Sequence, residues 1–227
     1  MTIAGMVKTS LVDFPGKLSC VLFTPGCNFD CFYCHNRQLL GSNFTTVPFE
    51  EVMDYLKKRA GLIGGIVITG GEPTLQEGIR EAVLNIRKLG YKTKLDTNGS
   101  FPEKVESFLR EGLFDYYAID YKAPRSRYRE ICGPADPDKV LETIKLLSRS
   151  GVSFEVRTTV IPQLKPNDLL RMAGELPLLP RYVLNRYRKP EVYKIPDRAQ
   201  VEAPPYTQAE IDGFASMLRD IQPNTVT

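Results

Sequence analysis

An α/β fold, built as a partial, open (β/α)6 barrel, is what this sequence predicts, and three observations predict it. Short apolar runs rich in β-branched and aromatic residues recur six times, and segments with helical spacing of apolar residues lie between them. Six repeats are also too few to close the eight-stranded barrel, which usually takes about 250 residues, and the chain has 227.

The six runs are residues 19–24, 65–69, 92–97, 116–120, 154–161 and 182–184. Between them, Val52, Tyr55 and Leu56, then Ile79, Val83 and Ile86, then Val140, Ile144 and Leu147 each place apolar side chains on one helix face. Asp136 with Pro137 reads as cap and first-turn residue of a helix, and Gly90 and Gly151 as left-handed helix stops. Alternation of strand and helix implies parallel pairing through βαβ units. Residues 1–18 read as an N-terminal extension, 19–185 as the barrel, and 186–227 as a cover segment with Pro190, Pro196, Pro204 and Pro205 before a last helix opened by Thr207 and Glu210. The expectation is one domain over 1–227.

With 42% hydrophobic and 25% charged residues, the composition fits a soluble globular protein. No stretch approaches the roughly 18 consecutive apolar residues of a membrane span, and the first residues lack the apolar region of a signal peptide, so a cytoplasmic protein with no membrane partner is expected. A net charge of +3 is too small to imply nucleic-acid binding by itself, and no nucleic-acid partner is expected. Five cysteines, three of them within residues 27–34, suit a metal site in a reducing compartment better than a disulfide framework.

Chemistry in such a fold belongs at the C-terminal ends of the strands. After the first run comes Cys27-Asn28-Phe29-Asp30-Cys31-Phe32-Tyr33-Cys34, three thiols in a loop short enough to converge on one iron-sulfur cluster. A four-iron cluster held by three thiolates leaves one iron open to a substrate or cofactor. Zinc is the alternative, but closed zinc sites take four Cys or His ligands and the single histidine, His35, abuts Cys34. After the second run stands Gly70-Gly71-Glu72-Pro73, where two glycines let backbone approach a ligand and Glu72 can accept hydrogen bonds from an ammonium group. Cys20, in an apolar strand, and Cys132, after a basic loop, read as structural.

The spacing C-x3-C-x2-C, with an aromatic residue before the last cysteine, and the GGEP element together resemble the radical S-adenosylmethionine superfamily over most of the chain. The resemblance implies an oxygen-sensitive [4Fe-4S] cluster on Cys27, Cys31 and Cys34, with S-adenosylmethionine at the fourth iron cleaved to a 5′-deoxyadenosyl radical that abstracts hydrogen. It also implies contact of Gly70, Gly71 and Glu72 with the cofactor and places Tyr33 near the adenine, simple packing being the alternative for Tyr33.

Within that superfamily, Cys34-His35-Asn36-Arg37, Leu95-Asp96-Thr97-Asn98-Gly99 and Asp120-Tyr121-Lys122 resemble the activating proteins of glycyl-radical enzymes. The resemblance implies that Asp96, Thr97 and Asp120 hold a monovalent cation beside the cofactor, with Asn98 and Lys122 in the same contact set. Two carboxylates aimed at one mouth repel unless a cation or donors such as Lys122 lie between them, although strand-end solvation would also explain them. For Arg157, cofactor contact and an ion pair with Glu155 or another acid are both open. The segment from Lys8 to Lys17 resembles the opening of compact activases for anaerobic ribonucleoside-triphosphate reductase, and the run Tyr182-Val183-Leu184-Asn185-Arg186-Tyr187 carries no histidine where the pyruvate formate-lyase branch commonly has one.

The implied function is abstraction of a glycine Cα hydrogen from a partner glycyl-radical enzyme, with flavodoxin or ferredoxin as electron donor. Activation of pyruvate formate-lyase or another glycyl-radical enzyme is one alternative. A second is radical chemistry on a small molecule or nucleotide such as a deazapurine precursor, with Lys122, Arg125, Arg127, Arg129, Arg186, Arg188 and Lys189 binding anionic groups, although solvated loops or a docking rim explain these residues equally well. A non-enzymatic electron-transfer module fits neither the three-cysteine loop nor the GGEP element.

Overall fold

Each of the six apolar runs forms a strand, and two further strands flank them. The structure, a computed structural model, describes residues 1–227. In chain order the elements are β1 (Gly5–Ser10), β2 (Ser19–Thr24), α1 (Phe49–Arg59), β3 (Gly65–Gly70), α2 (Ile79–Lys88), β4 (Lys92–Thr97), α3 (Pro102–Arg110) and β5 (Tyr116–Asp120). They continue with α4 (Tyr128–Cys132), α5 (Pro137–Ser150), β6 (Ser153–Val160), α6 (Pro166–Glu175), β7 (Tyr182–Arg186), α7 (Arg198–Val201), α8 (Gln208–Leu218) and β8 (Thr225–Val226). The strands form one sheet in the order β1 to β8, and it is not closed into a barrel. No helix is long and apolar enough to cross a membrane.

Eight strands in place of six is a correction at both ends. Residues 1–18 contain β1, which folds back antiparallel on β2 with Gly5 opposite Phe23 and Val7 opposite Val21. Its side chains are half-buried or exposed, so it is a strand because it pairs, and no apolar alternation announces it. At the other end β8 has two residues and pairs parallel with β7, too short for any periodicity.

By compactness the chain divides into two units. The first comprises residues 1–27, 36–97 and 103–118. Here β2 and β3 run parallel, Cys20 opposite Ile66 and Thr24 opposite Gly70, and β4 runs parallel to β3 with Ile68 opposite Leu95. Phe14, Val21 and Val67 form a buried cluster, with Phe23 and Tyr116 against it. Val52 and Leu56 of α1 and Val83 and Ile86 of α2 are buried on the predicted faces. Each such side chain contributes about 1.5–3 kcal/mol by leaving water. Val105 and Phe108 place α3 in this unit, an amphipathic helix that sequence reading passed over although Pro102 marks its first turn.

The second unit comprises residues 28–35, 98–102 and 119–227. Within it β6 and β7 pair in parallel, Val156 opposite Tyr182 and Val160 opposite Arg186. Helix α5 starts where expected: the Asp136 side chain accepts from the Asp138 amide, Pro137 follows, and Gly151 closes the helix with φ 75°. Helix α8 opens with the expected reciprocal cap, Thr207 Oγ1 accepting from the Glu210 amide while the Glu210 carboxylate accepts from the Thr207 amide at 2.7 Å. Helix α6, also passed over, carries Pro166 and a capping Asp168, and buries Leu169 and Met172.

Candidate active site

In the first unit the chemistry-bearing residues follow the ends of β2, β3 and β4. The turn after β3 is fused to the segment after β2: the Gly71 amide donates to the Thr24 carbonyl at 2.8 Å, and the Glu72 amide to the Gly26 carbonyl at 2.7 Å. A Cβ on Gly70, where φ is 120°, would stand 2.3 Å from the Thr24 oxygen, and one on Gly71 would stand 1.9 Å from the Gly26 oxygen. Those approaches explain the two glycines, since any side chain would separate the strand ends. Asn36 Nδ2 donates to the Gly70 carbonyl at 2.7 Å, binding the segment after the last cysteine to the same turn.

Glu72 is fully buried. Its Oε1 accepts from the Thr74 amide at 3.0 Å and from Thr97 Oγ1, at the end of β4, at 2.6 Å. The Glu72 carboxylate thus fixes the loop after β3 against the end of β4. Asp96 is buried beside a residue that the sequence reading missed: Lys94 Nζ lies 2.7 Å from Asp96 Oδ1. Lys94 Nζ also donates to the Asp13 carbonyl at 2.7 Å and lies 5.8 Å from the centre of the Tyr116 ring. A lysine between Thr93 and Leu95 inside a central strand was the available clue, because lysine is almost never buried unpaired.

In the second unit, Asn28 to His35 form the body of the cysteine loop. Cys31 and Tyr33 are buried and Cys34 half-buried, and the Cys34 amide donates to the Cys31 carbonyl at 3.2 Å in a tight turn. Asn28 Nδ2 donates to Ser100 Oγ at 2.9 Å, while Asn98 Nδ2 donates to Asn28 Oδ1 at 2.9 Å and Asn98 Oδ1 accepts from the Ser100 amide. Asn98 therefore acts here as a brace for the cysteine loop. The Asp30 amide donates to the Cys132 carbonyl at 2.9 Å, so the buried Cys132 anchors the loop from α4.

Tyr33 packs edge-on against Phe32 and Tyr187, and its buried hydroxyl has no hydrogen-bond partner. Burial pushes the Tyr33 phenol up, and Cys132, Cys31, Asp120 and Cys34 around it push the same way. A buried hydroxyl left unsatisfied is the kind of group a bound ligand completes. Asp120 is clamped on both oxygens, Lys122 Nζ at 3.1 Å from Oδ2 and Arg157 Nε at 3.0 Å from Oδ1. Burial alone would raise the Asp120 carboxyl, but the two cations outweigh it and hold it at about 2. Burial alone would lower the Lys122 ammonium, and the Asp120 carboxylate together with Cys31 and Cys132 more than offsets that, keeping it protonated.

Arg157 thus makes its ion pair with Asp120, while Glu155 takes Arg181 at 3.1 Å. Four of the other basic residues are engaged at home. Arg127 pairs with Glu130 and Asp168, Arg125 with Asp138, Lys189 with Glu202, and Arg186 donates to the Tyr206 carbonyl. The cover segment lies on the cysteine loop: Tyr187 meets Tyr33, Lys194 pairs with Asp30, and His35, its pKa lowered by burial, hydrogen-bonds the Arg188 backbone.

No three Cys, His, Asp or Glu side chains gather closely enough to grip a single metal ion. Three thiolates can bind three different irons of a four-iron cluster, whereas a closed zinc site takes four Cys or His ligands.

Residues 21–176 match the sequence model of the radical SAM superfamily. The chain belongs to that superfamily. Members of the radical SAM superfamily use a [4Fe-4S] cluster and S-adenosylmethionine. A protein of Methanocaldococcus jannaschii named as a glycyl-radical enzyme activating enzyme is 33% identical over 204 residues, 84% of this chain and 82% of its own. A protein of Pyrococcus horikoshii named as a GTP 3′,8-cyclase is 29% identical over 161 residues, 69% of this chain and 52% of its own. Among solved structures, Streptococcus suis SuiB bound to S-adenosylmethionine superposes with a TM-score of 0.67 at 16% identity, over 88% of this chain and 48% of SuiB. The enzyme anSMEcpe with bound AdoMet gives 0.63 at 19%, over 92% of this chain and 62% of its own. The chain spans about half the length of the cyclase and of SuiB. These superpositions carry the radical SAM fold, an open α/β sheet of the kind expected from the sequence.

Proposed function

We propose that this radical SAM enzyme activates a glycyl-radical enzyme, taking a hydrogen from a glycine Cα of its protein partner, and that the partner is an anaerobic ribonucleotide reductase. The observation that carries the activase reading is the 33% identity to the Methanocaldococcus jannaschii protein over most of both chains. The partner's identity is supported by the segment from Lys8 to Lys17. Flavodoxin or ferredoxin is the proposed electron donor.

In this reading Cys27, Cys31 and Cys34 hold the cluster. Bound together, cluster and S-adenosylmethionine supply a 5′-deoxyadenosyl radical as the hydrogen acceptor. The chain's own residues prepare the site. Gly70 and Gly71 keep the backbone after β3 bare of side chains, and Glu72 fixes the turn that meets the cofactor's amino group. Lys122 and Arg157 offer cationic hydrogen-bond donors to its carboxylate. Tyr33 presents an aromatic ring to the adenine, and its unsatisfied hydroxyl gains a partner there.

A second reading, radical chemistry on a nucleotide, is favoured by the similarity to the cyclases.

The test is electron paramagnetic resonance on the anaerobically reconstituted and reduced protein with S-adenosylmethionine and a candidate anaerobic ribonucleotide reductase. A glycyl-radical doublet that needs both proteins is expected. If S-adenosylmethionine yields 5′-deoxyadenosine when GTP is added but not when the reductase is added, the nucleotide reading replaces this one, and Cys31→Ala should abolish signal and cleavage together.

A further inference from the structure

We infer that Lys94 is the built-in counter-ion of Asp96, so that this protein binds S-adenosylmethionine without the monovalent cation implied by its resemblance to the activases. The inference rests on the reading that the cofactor lies beside Asp96.

The surroundings of Lys94 Nζ are those of a cation site. One carboxylate oxygen, Asp96 Oδ1, lies at 2.7 Å, one carbonyl oxygen, that of Asp13, accepts at 2.7 Å, and the Tyr116 ring presents its face at 5.8 Å. Carboxylate, carbonyl and aromatic face are three groups that stabilise a positive charge, and here they converge on an ammonium tethered to β4. The side chains of Lys94 and Asp96 are 1% and 8% exposed, so water screens little of the attraction.

A free cation brought to the same carboxylate would stand against that ammonium in a poorly solvated place, where like charges repel strongly. The Asp120 carboxylate offers no better seat, since Lys122 and Arg157 already take one oxygen each. The two carboxylates of the implied cation site therefore do not fit a mobile cation. A tethered charge has a further consequence: its occupancy does not depend on concentration, whereas a free cation stabilises by an amount set by its concentration relative to its dissociation constant.

The test is the affinity of the anaerobic, cluster-containing protein for S-adenosylmethionine, measured by equilibrium dialysis in potassium, sodium and choline chloride at one ionic strength. Wild type should bind within about twofold in all three salts. Lys94→Met should bind about tenfold more weakly in choline and regain affinity in potassium, because a small cation can then reach Asp96. Lys94→Arg, which keeps the charge, should stay independent of the salt. A wild type that loses about fivefold or more on replacing potassium by choline overturns the inference, and this arm needs no variant to fold. Lys94→Met with wild-type affinity in every salt overturns it as well. Absence of binding in all salts would remove the proposed cofactor site itself, a result distinguishable from potassium-dependent binding.

Discussion

Two strand ends carry an aspartate with a lysine two residues away, and burial separates them. At the end of β4, Lys94 precedes Asp96 and both side chains are sealed. At the end of β5, Lys122 follows Asp120, the side chains are 18% and 33% exposed, and Arg157 joins them from β6. Order along the chain produces the difference. Residues i and i−2 of a strand share a face within the sheet layer, whereas residue i+2 beyond the last strand residue stands in the loop. The same two residue types thus give a fixed internal charge pair in one place and, in the other, a cluster open enough to exchange partners with an anionic ligand.

The sharpest way to break this comparison is to remove Lys94. An uncompensated buried carboxylate costs about 3–5 kcal/mol, so Lys94→Met should lower unfolding stability in urea by that order. Adding Asp96→Asn to it should restore most of the loss, because the two changes share one interaction. A double variant no more stable than Lys94→Met would show that the cost lies in packing around the lysine stem, and the two strand ends would then differ in shape and not in electrostatics.

The open cluster should respond to acid instead. A carboxyl held below its ordinary value of 3.8, at about 2 for Asp120, stabilises the fold at pH values above 3.8 and loses that contribution as the pH falls through about 2. In cluster-free protein, Asp120→Asn should therefore flatten the fall in stability across that acid window, with a stability change at neutral pH of about 1 kcal/mol or less for so exposed a pair. An unchanged acid limb would mean that Lys122 and Arg157 do not hold the carboxylate in solution.

Much of this was legible in the sequence. Strand periodicity located six strands, caps at Asp136 and Thr207 set two helix starts, and cysteine spacing with the Gly70-Gly71-Glu72 turn pointed to the superfamily to which the chain belongs. What escaped notice depends on partners distant in the chain. Strand β1 is half-exposed and exists through its pairing with β2, and the strand position of Lys94 hints at burial without naming Asp13 and Asp96 as the groups that close on it. Asn28 looks like a spacer between cysteines, yet Asn98 and Ser100, some seventy residues on, hold it in place. Arg157 left two readings open because strand alternation gives the face of a side chain and not the acid it meets.

A third lysine–aspartate pair sets the lower end of the comparison. Lys194 of the cover segment meets Asp30 of the cysteine loop with side chains 49% and 45% exposed. Water and salt screen such a pair, and two long side chains lose freedom in forming it, so Lys194→Ala should cost about 0.5 kcal/mol or less. Hydrogen exchange is the more telling readout. The Asp30 amide keeps its bond to the Cys132 carbonyl, so its protection should persist in the variant even though the clasp is gone. A loss above about 1 kcal/mol, or exchange of that amide at the rate of an open loop, would rank this pair with Lys94 and Asp96 and show that exposure does not sort the three.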